Sequence, residues 1–247
     1  MFSFTRTLLV RAVVSLLIVP IFVFARSFTV GVESQNYLPI SNGEDGNYTG
    51  YAREVLDTFA AKHGHTFIYK PMPVARLLDE FIVQKSIDFK FPDNPQWRMD
   101  IKKGTTVTYS NGIISVTEGA MVTPANLGKP ITKLVTVRGF TPFPYLSLIK
   151  DKTVTLSEVN TTDAVIKMVE AGRVDAGYLG ILAATYTMRE TMKKPNVIVY
   201  DSSAPHTSSD FVLSTISRPE VIKQLNEFLV NEKNAISKLK FKFKITH

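Results

Sequence analysis

Short apolar runs and longer amphipathic runs alternate along most of this chain. FTVGV (28–32) has the composition of a buried strand. The longer stretch YAREVLDTFAAKHG (51–64) places Tyr51, Val55 and Phe59 on one helical face and ends in a glycine that can stop a helix. This alternation predicts an α/β protein in which helices cover the sheets.

The number of alternating units predicts two lobes. Roughly seven strand–helix units follow one another, which is more than a single small sheet usually carries. The extended region 109–123 has the composition of a crossing between lobes, and the loop 201–209 can form the return. We therefore expect one lobe to contain 26–115 and 205–247, and the other to contain 116–204. Ligands favour the cleft between two such lobes.

The N-terminus predicts secretion. Arg6 and Arg11 accompany an apolar run that ends before Arg26. This pattern is typical of a cleavable signal peptide, so we expect residues 1–25 to be removed and the protein to act in the periplasm. An uncleaved anchor is the alternative, because the apolar run approaches the ~17-residue minimum for spanning a membrane. The sequence contains no cysteine, which excludes a disulfide framework and a lipidated N-terminus.

The charge of the chain is mildly positive. The formal net charge is +7, and it falls to about +5 if Arg6 and Arg11 leave with the signal peptide. Four lysines alternate with apolar residues in KLKFKFKITH (238–247). This alternation predicts an extended segment with its lysines on one face. A nucleic-acid or membrane role is conceivable, but a solvated edge that resists aggregation explains the pattern better. We expect a monomer without a nucleic-acid partner.

Several enzyme classes are excluded or poorly supported. Without cysteine there is no catalytic thiol, and four histidines supply a metal centre poorly. No nucleophile-elbow, phosphate-loop or dinucleotide-binding glycine motif occurs. We therefore expect no catalytic residues, no metal and no cofactor.

Aromatic side chains and arginines suggest a binding site instead. Tyr37 and Trp97 lie at predicted strand ends or loops, where aromatic rings can wall an apolar slot. The arginines near such loops are Arg76, Arg98 and Arg138. A guanidinium group can hold a carboxylate through two hydrogen bonds. For each arginine alone, a surface salt bridge is an equally good explanation.

In their order and spacing, several segments resemble one protein family. They are FTVGVESQNYLPI, GYAREVLDTFAAKHG, YKPMPVARLLDEFIVQKSIDF, VTYSNGI and AVIKMVEAGRVDA. Together they resemble the bacterial extracellular solute-binding proteins of family 3, the polar amino-acid uptake type, over nearly all of residues 28–235. The resemblance implies the type II periplasmic binding protein fold, in which each of two lobes is a central sheet flanked by helices.

The resemblance also implies positions for ligand contacts. Tyr37 matches an aromatic residue that packs on the ligand from the first lobe. Arg138 and Thr141 match a basic residue and a hydroxyl in a second-lobe loop. From the first lobe, Arg98, Arg76 or Lys103 would hold the ligand's carboxylate. The complete predicted ligand-binding set is Tyr37, Arg76, Trp97, Arg98, Ser110, Arg138 and Thr141.

One position departs from the family pattern. In the amino-acid binders a second-lobe strand commonly ends in an aspartate that holds the ligand's ammonium group, and this chain has Gly180 there. The departure weakens the expectation of an α-amino-acid ligand. Asp175, five residues earlier, is expected to be structural.

Three hypotheses about function follow. The first is a periplasmic protein that captures a small anionic or zwitterionic solute between its lobes and docks on an ABC-type permease or a receptor. The second is an enzyme on the same fold, such as a dehydratase, with Glu33 or Glu118 as the candidate acid or base. The third is a sensory or protein-interaction module without a transport role.

Overall fold

The computed structural model describes residues 26–245. The predicted signal peptide therefore lies outside the described residues. In chain order the strands are β1 (Arg26–Glu33), β2 (Asn36–Tyr37), β3 (Ser41–Asn42), β4 (His65–Met72), β5 (Phe89–Asp93), β6 (Thr108–Tyr109), β7 (Ile114–Val122), β8 (Lys133–Val137), β9 (Thr155–Val159), β10 (Ala176–Gly180), β11 (Val199–Tyr200) and β12 (His206–Thr215). The α-helices are α1 (Tyr51–Lys62), α2 (Val74–Leu78), α3 (Met99–Lys102), α4 (Leu146–Lys150), α5 (Thr162–Glu170), α6 (Ile181–Tyr186), α7 (Pro219–Asn231) and α8 (Lys233–Lys242).

The first lobe is built around β1, which lies between two parallel neighbours. Val30 in β1 pairs with Tyr69 of β4 on one side and with Phe89 of β5 on the other. Helices α1 and α7 bury apolar faces against this sheet in one core that includes Phe59 and Phe228. The first predicted strand and helix of the chain are both confirmed.

The second lobe is built around β10. This strand runs parallel to β8 and antiparallel to β7, and β9 extends the sheet beyond β8. Helix α5 packs on the sheet through Val165 and Val169, and Gly172 at φ +65° follows its end. The carboxylate of Asp175 accepts hydrogen bonds from the backbone amides of Thr132 and Lys133, both at 2.8 Å, which fits its predicted structural role.

Two long antiparallel strands join the lobes. The first half of β12 pairs with β7, from His206 opposite Gly119 to Phe211 opposite Ile114, and its second half pairs with β5. The sheet is consequently continuous from one lobe to the other and curled. This is the predicted two-lobed α/β architecture. The exact division at 115/116 and 204/205 remains a prediction.

Two local predictions are wrong. The segment from 206 to 209, predicted to be loop, is the start of β12, because its backbone pairs with β7. Residues 238–242 of the lysine-rich segment, predicted to be extended, belong to helix α8. Ile236, Leu239 and Phe243 are spaced for one helical face and pack against the first-lobe core, so burial of that face overrides the period-two alternation.

Within residues 26–245 there is no helix with both the length and the apolar character that crossing a membrane requires.

Candidate functional site

A small cavity lies where the carboxyl ends of β1 and β5 face the loop that follows β8. Its volume is about 60 Å³, several times the space that one water molecule needs. Its charged lining residues are Glu33, Lys90, Asp93, Arg98 and Glu118. Its aromatic lining residues are Tyr37, Trp97, Phe140, Phe143 and Phe211. Ligands of open α/β sheets bind beyond the carboxyl ends of the strands, which makes this cavity the candidate binding site.

Two glutamates face the cavity from different strands. Glu33 ends β1 and Glu118 lies in β7. Burial raises the pKa of Glu33 to about 7, and the charge of Lys90 opposes the shift. Burial also raises the pKa of Glu118 to about 7, and a hydrogen bond from Tyr37 opposes it. Both carboxyl groups can therefore exchange a proton near neutral pH.

The side chain of Tyr37 links the two lobes. Its hydroxyl donates a hydrogen bond to Glu118 Oε1 at 3.3 Å. Its ring meets Phe140 edge to face, with 5.6 Å between the ring centroids, and Phe211 at 6.1 Å. Burial, followed by the charge of Glu118, raises the pKa of Tyr37 well above its ordinary value. Tyr37 is therefore a neutral hydrogen-bond donor that holds the Glu118 carboxyl group in place.

The Tyr37 hydroxyl occupies the space beside Gly180. A Cβ atom at position 180 would lie 1.8 Å from the Tyr37 Oη atom, much closer than two atoms can approach. Glu118 stands directly opposite Gly180 in the pairing of β7 with β10. The carboxyl group nearest the end of β10 is therefore on the neighbouring strand, and Tyr37 fills the space beside Gly180.

A buried charged cluster supports the floor of the cavity. Asp93 Oδ1 lies 2.8 Å from Lys102 Nζ and 3.2 Å from Lys90 Nζ, and Ser214 donates to Asp93 Oδ2 at 2.6 Å. Burial alone would raise the pKa of Asp93, but the two ammonium groups hold it below its ordinary value. Burial lowers the pKa of Lys102, against the opposing effect of Asp93. The cluster is fully partnered, as buried charges must be.

This cluster is not among the predicted site residues, although the sequence contains one signal of it. Lys90 stands between Phe89 and Phe91 in a strand whose residues are all buried. A lysine inside such an apolar strand needs a nearby acid. Asp93, three residues later, is that acid.

Four of the predicted ligand-binding residues line the cavity, namely Tyr37, Trp97, Arg98 and Thr141. Arg98 lies at the edge of the site: its side chain is 46% exposed and forms two hydrogen bonds with Asp100, at 3.1 and 3.0 Å.

The other predicted residues do not line it. Arg76 is exposed and forms an ion pair with Glu80. The Ser110 hydroxyl accepts a hydrogen bond from the Leu213 amide at 2.9 Å, which is a structural contact. Arg138 is exposed. Its backbone carbonyl oxygen accepts a hydrogen bond from the Gln35 side chain at 3.4 Å.

Lys103, the alternative to Arg98, is exposed and outside the lining. Ligand contact by any of these side chains stays a prediction. Among the described residues, no group of three or more histidine, aspartate or glutamate side chains is arranged to hold a metal ion.

Comparison with known proteins identifies the fold but no family. No protein-family model matches the chain, and no curated protein sequence matches it. Solved structures do match. One is the substrate-binding protein of an ABC uptake transporter from Streptococcus pneumoniae with bound histidine, at 16% identity and a TM-score of 0.69, covering 88% of this chain and 92% of that one.

Two further solved structures match the chain over a similar length. One is an ancestral amino acid-binding protein, a precursor of cyclohexadienyl dehydratase, at 18% identity and a TM-score of 0.66 over 88% of this chain and 95% of that one. The other is a histidine kinase sensor domain with similarity to periplasmic binding proteins, at 14% identity and a TM-score of 0.70 over 89% and 96%. The shared property is the two-lobed periplasmic binding protein fold, which hosts more than one function.

Proposed function

We propose that this chain, on its two-lobed periplasmic binding protein fold, is a solute-binding protein. It captures a small amino-acid-like solute in the cavity between the lobes and delivers it to an ABC-type importer in the membrane. The observation that carries the proposal is the cavity itself, because charged and aromatic groups from both lobes line it. The structural neighbours that bind amino acids support it.

Capture by closure fits the way the lobes are connected. The crossing strands β7 and β12 can bend as hinges, while Tyr37 from one lobe contacts Phe140 from the other. A solute held between these groups would favour the closed arrangement. Secretion to the periplasm and action as a monomer belong to the same proposal.

Of the two solute classes that the sequence predicts, the zwitterion is favoured. Its ammonium group has acceptors in Glu33 and Glu118. A purely anionic solute would instead meet Lys90 and Arg98, whose charges are already paired with Asp93 and Asp100.

A thermal-shift screen of the purified chain tests the proposal. The panel contains amino acids, dicarboxylates, polyamines and aromatic acids. We expect at least one compound to raise the melting temperature and to reduce the radius of gyration in X-ray scattering. Thr141→Trp, which fills the cavity, should abolish both effects, whereas Thr155→Trp, on an exposed position of β9, should preserve them. A compound that binds both variants equally well would place binding elsewhere and refute the proposal.

An enzyme is the second candidate, because two cavity carboxyl groups with pKa values of about 7 suit acid–base chemistry at neutral pH. Arg138, which the resemblance places beside the ligand, does not line the cavity with them. Turnover of a bound panel compound, followed by NMR and lost in Glu118→Gln, would favour this candidate. Recovery of the bound compound unchanged would eliminate it for that compound.

A further inference from the structure

The cavity contains one negative charge more than its surroundings neutralise. Arg98 and Asp100 cancel each other. The remaining charged groups at the cavity and beneath it are two lysines and three acids, namely Lys90, Lys102, Asp93, Glu33 and Glu118. If every one is ionised, two positive charges face three negative charges.

The ammonium groups of both lysines are already held by other acceptors, so they do not pair with Glu33 or Glu118. Lys90 donates to the Pro92 carbonyl oxygen at 2.6 Å and approaches Asp93 Oδ1 to 3.2 Å. Lys102 donates to Asp93 Oδ1 and to the Asn94 carbonyl oxygen, both at 2.8 Å.

Neither cavity glutamate has a comparable partner. Among the ion pairs of residues 26–245, none involves Glu33 or Glu118. Among the side chains of the described residues, only the neutral Tyr37 hydroxyl donates a hydrogen bond to Glu118. Both carboxyl groups are half-buried. Partial loss of hydration makes a carboxylate without a cation costly, so without a ligand the site lowers its charge by retaining a proton.

We propose that Glu118, assisted by Glu33, binds the ammonium group of the solute, and that this ammonium takes the place of a proton in the site. The inference rests on the proposed function and specifies the amine end of its ligand, which is a cationic ammonium group on a compact apolar body. One ammonium group supplies the missing positive charge. The apolar body lies against Phe140, Phe143 and Phe211, which line the same cavity.

The surroundings of Glu118 identify it as the group whose charge changes when the solute binds. On its own face of the sheet it meets Tyr37 from β2 and Tyr178 from β10, both of which stay neutral because burial raises their pKa values. Glu33 and Lys90 line the same cavity from the first lobe. His206 of β12 pairs with Gly119 and therefore lies on the opposite face of the sheet. Binding of an ammonium group favours the ionised carboxylates and lowers their pKa values from about 7.

Titration calorimetry with three probes of matching shape tests the inference: butylamine, 1-butanol and butyrate. At pH 7 we expect butylamine to bind at least tenfold more tightly than the other two. Repeating the titration in buffers of different ionisation enthalpy should show proton release by the protein. The affinity for butylamine should rise about tenfold from pH 6 to pH 8, because a carboxyl group with a pKa near 7 must lose its proton to bind the ammonium.

Variants assign the effect to Glu118. Glu118→Gln should weaken butylamine binding at least tenfold and reduce the proton release. Glu220→Gln makes the same chemical change on an exposed side chain and should alter neither. Proton release is measured on the unaltered protein, so this test of the inference remains valid even if Glu118→Gln fails to fold.

Three outcomes overturn the inference: no binding of butylamine to the unaltered protein, equal binding of butyrate or butanol, or binding without proton release. Unchanged butylamine affinity in a folded Glu118→Gln variant overturns it as well. None of these refutes the proposed function if another panel compound binds and Thr141→Trp blocks it. Failure of the whole panel would refute the proposed function itself.

Discussion

At the scale of single residues, position 180 shows how the absence of a side chain permits the arrangement of the site. Gly180 ends β10 and leaves room for the Tyr37 hydroxyl, which then reaches Glu118 on the neighbouring strand. The backbone of Gly180 has φ −66°, which any residue can adopt. The requirement for glycine is therefore one of space and not of backbone conformation.

The substitution Gly180→Ala tests this reading. The new methyl group would displace Tyr37, break its hydrogen bond to Glu118 and disturb its contact with Phe140. We expect a loss of about 1–3 kcal/mol in the free energy of unfolding, as for other overpacked core positions. Chemical denaturation measures this loss.

Tyr37→Phe in the Gly180→Ala background removes the atom that collides first, so it should restore part of the loss. Tyr37→Phe alone is the control. A Gly180→Ala protein as stable as the unaltered chain would show that the Tyr37 side chain moves aside without cost.

At the scale of elements, β5 and α3 combine to bury a charged cluster beneath the cavity. Phe89 and Phe91 anchor β5 in the core, which carries Lys90 and Asp93 into the interior with them. Helix α3 then places Lys102 over the same carboxylate. The cluster holds Asp93 ionised and fixes the end of β5 against the cavity.

Neighbouring lysines at the end of α3 provide a matched test. Lys102 is buried on Asp93, whereas Lys103 is exposed. Lys102→Met removes one of the two cations that offset the buried carboxylate, and we expect a loss of about 3 kcal/mol, at the low end for a broken buried ion pair because Lys90 remains. Lys103→Met should change stability by less than about 0.5 kcal/mol. Equal stability of the two variants in urea denaturation would contradict the structural role of the cluster.

At the scale of the whole molecule, the cavity makes stability depend on pH. The pKa of Glu118 rises on folding from 4.5 to about 7, so between these values the folded protein holds a proton that the unfolded chain releases. The stabilising effect of the protonated form is complete below about pH 4.5 and is lost as the pH rises through about 7. Asp93 acts in the opposite direction: its pKa is lowered on folding, so its contribution is lost in acid.

Without solute, the free energy of unfolding should therefore be lower at pH 8 than at pH 5. Glu118 alone contributes up to about 3 kcal/mol to this difference. Glu118→Gln should flatten the profile and be more stable than the unaltered protein at pH 8, and Glu220→Gln should keep the original slope. Thermal or urea unfolding across this pH range measures the profile. A Glu118→Gln protein with an unchanged slope would mean that Glu118 does not titrate in this range.

The sequence allowed much of the architecture to be predicted, because local patterns decide it. Apolar runs of strand length and the amphipathic face of α1 need only near neighbours to be recognised, and they indicate an α/β chain of two lobes. The same local reasoning failed at α8. There a period-two alternation and a helical face formed by Ile236, Leu239 and Phe243 coexist in one segment, and only packing against the first-lobe core selects the helix.

The sequence by itself determined the α/β class and the absence of thiol chemistry, because composition and periodicity are properties of the chain. It suggested a cationic clamp for an anion, whereas the cavity is lined by two glutamates as well as Lys90 and Arg98. Only the tertiary structure decided which of those groups meet. It brings Glu118 opposite Gly180 and under Tyr37, and it leaves Arg76 and Arg138 outside the cavity. These relations depend on the pairing of strands far apart in sequence and on burial, which determines whether a charge is solvated, paired or left to retain a proton.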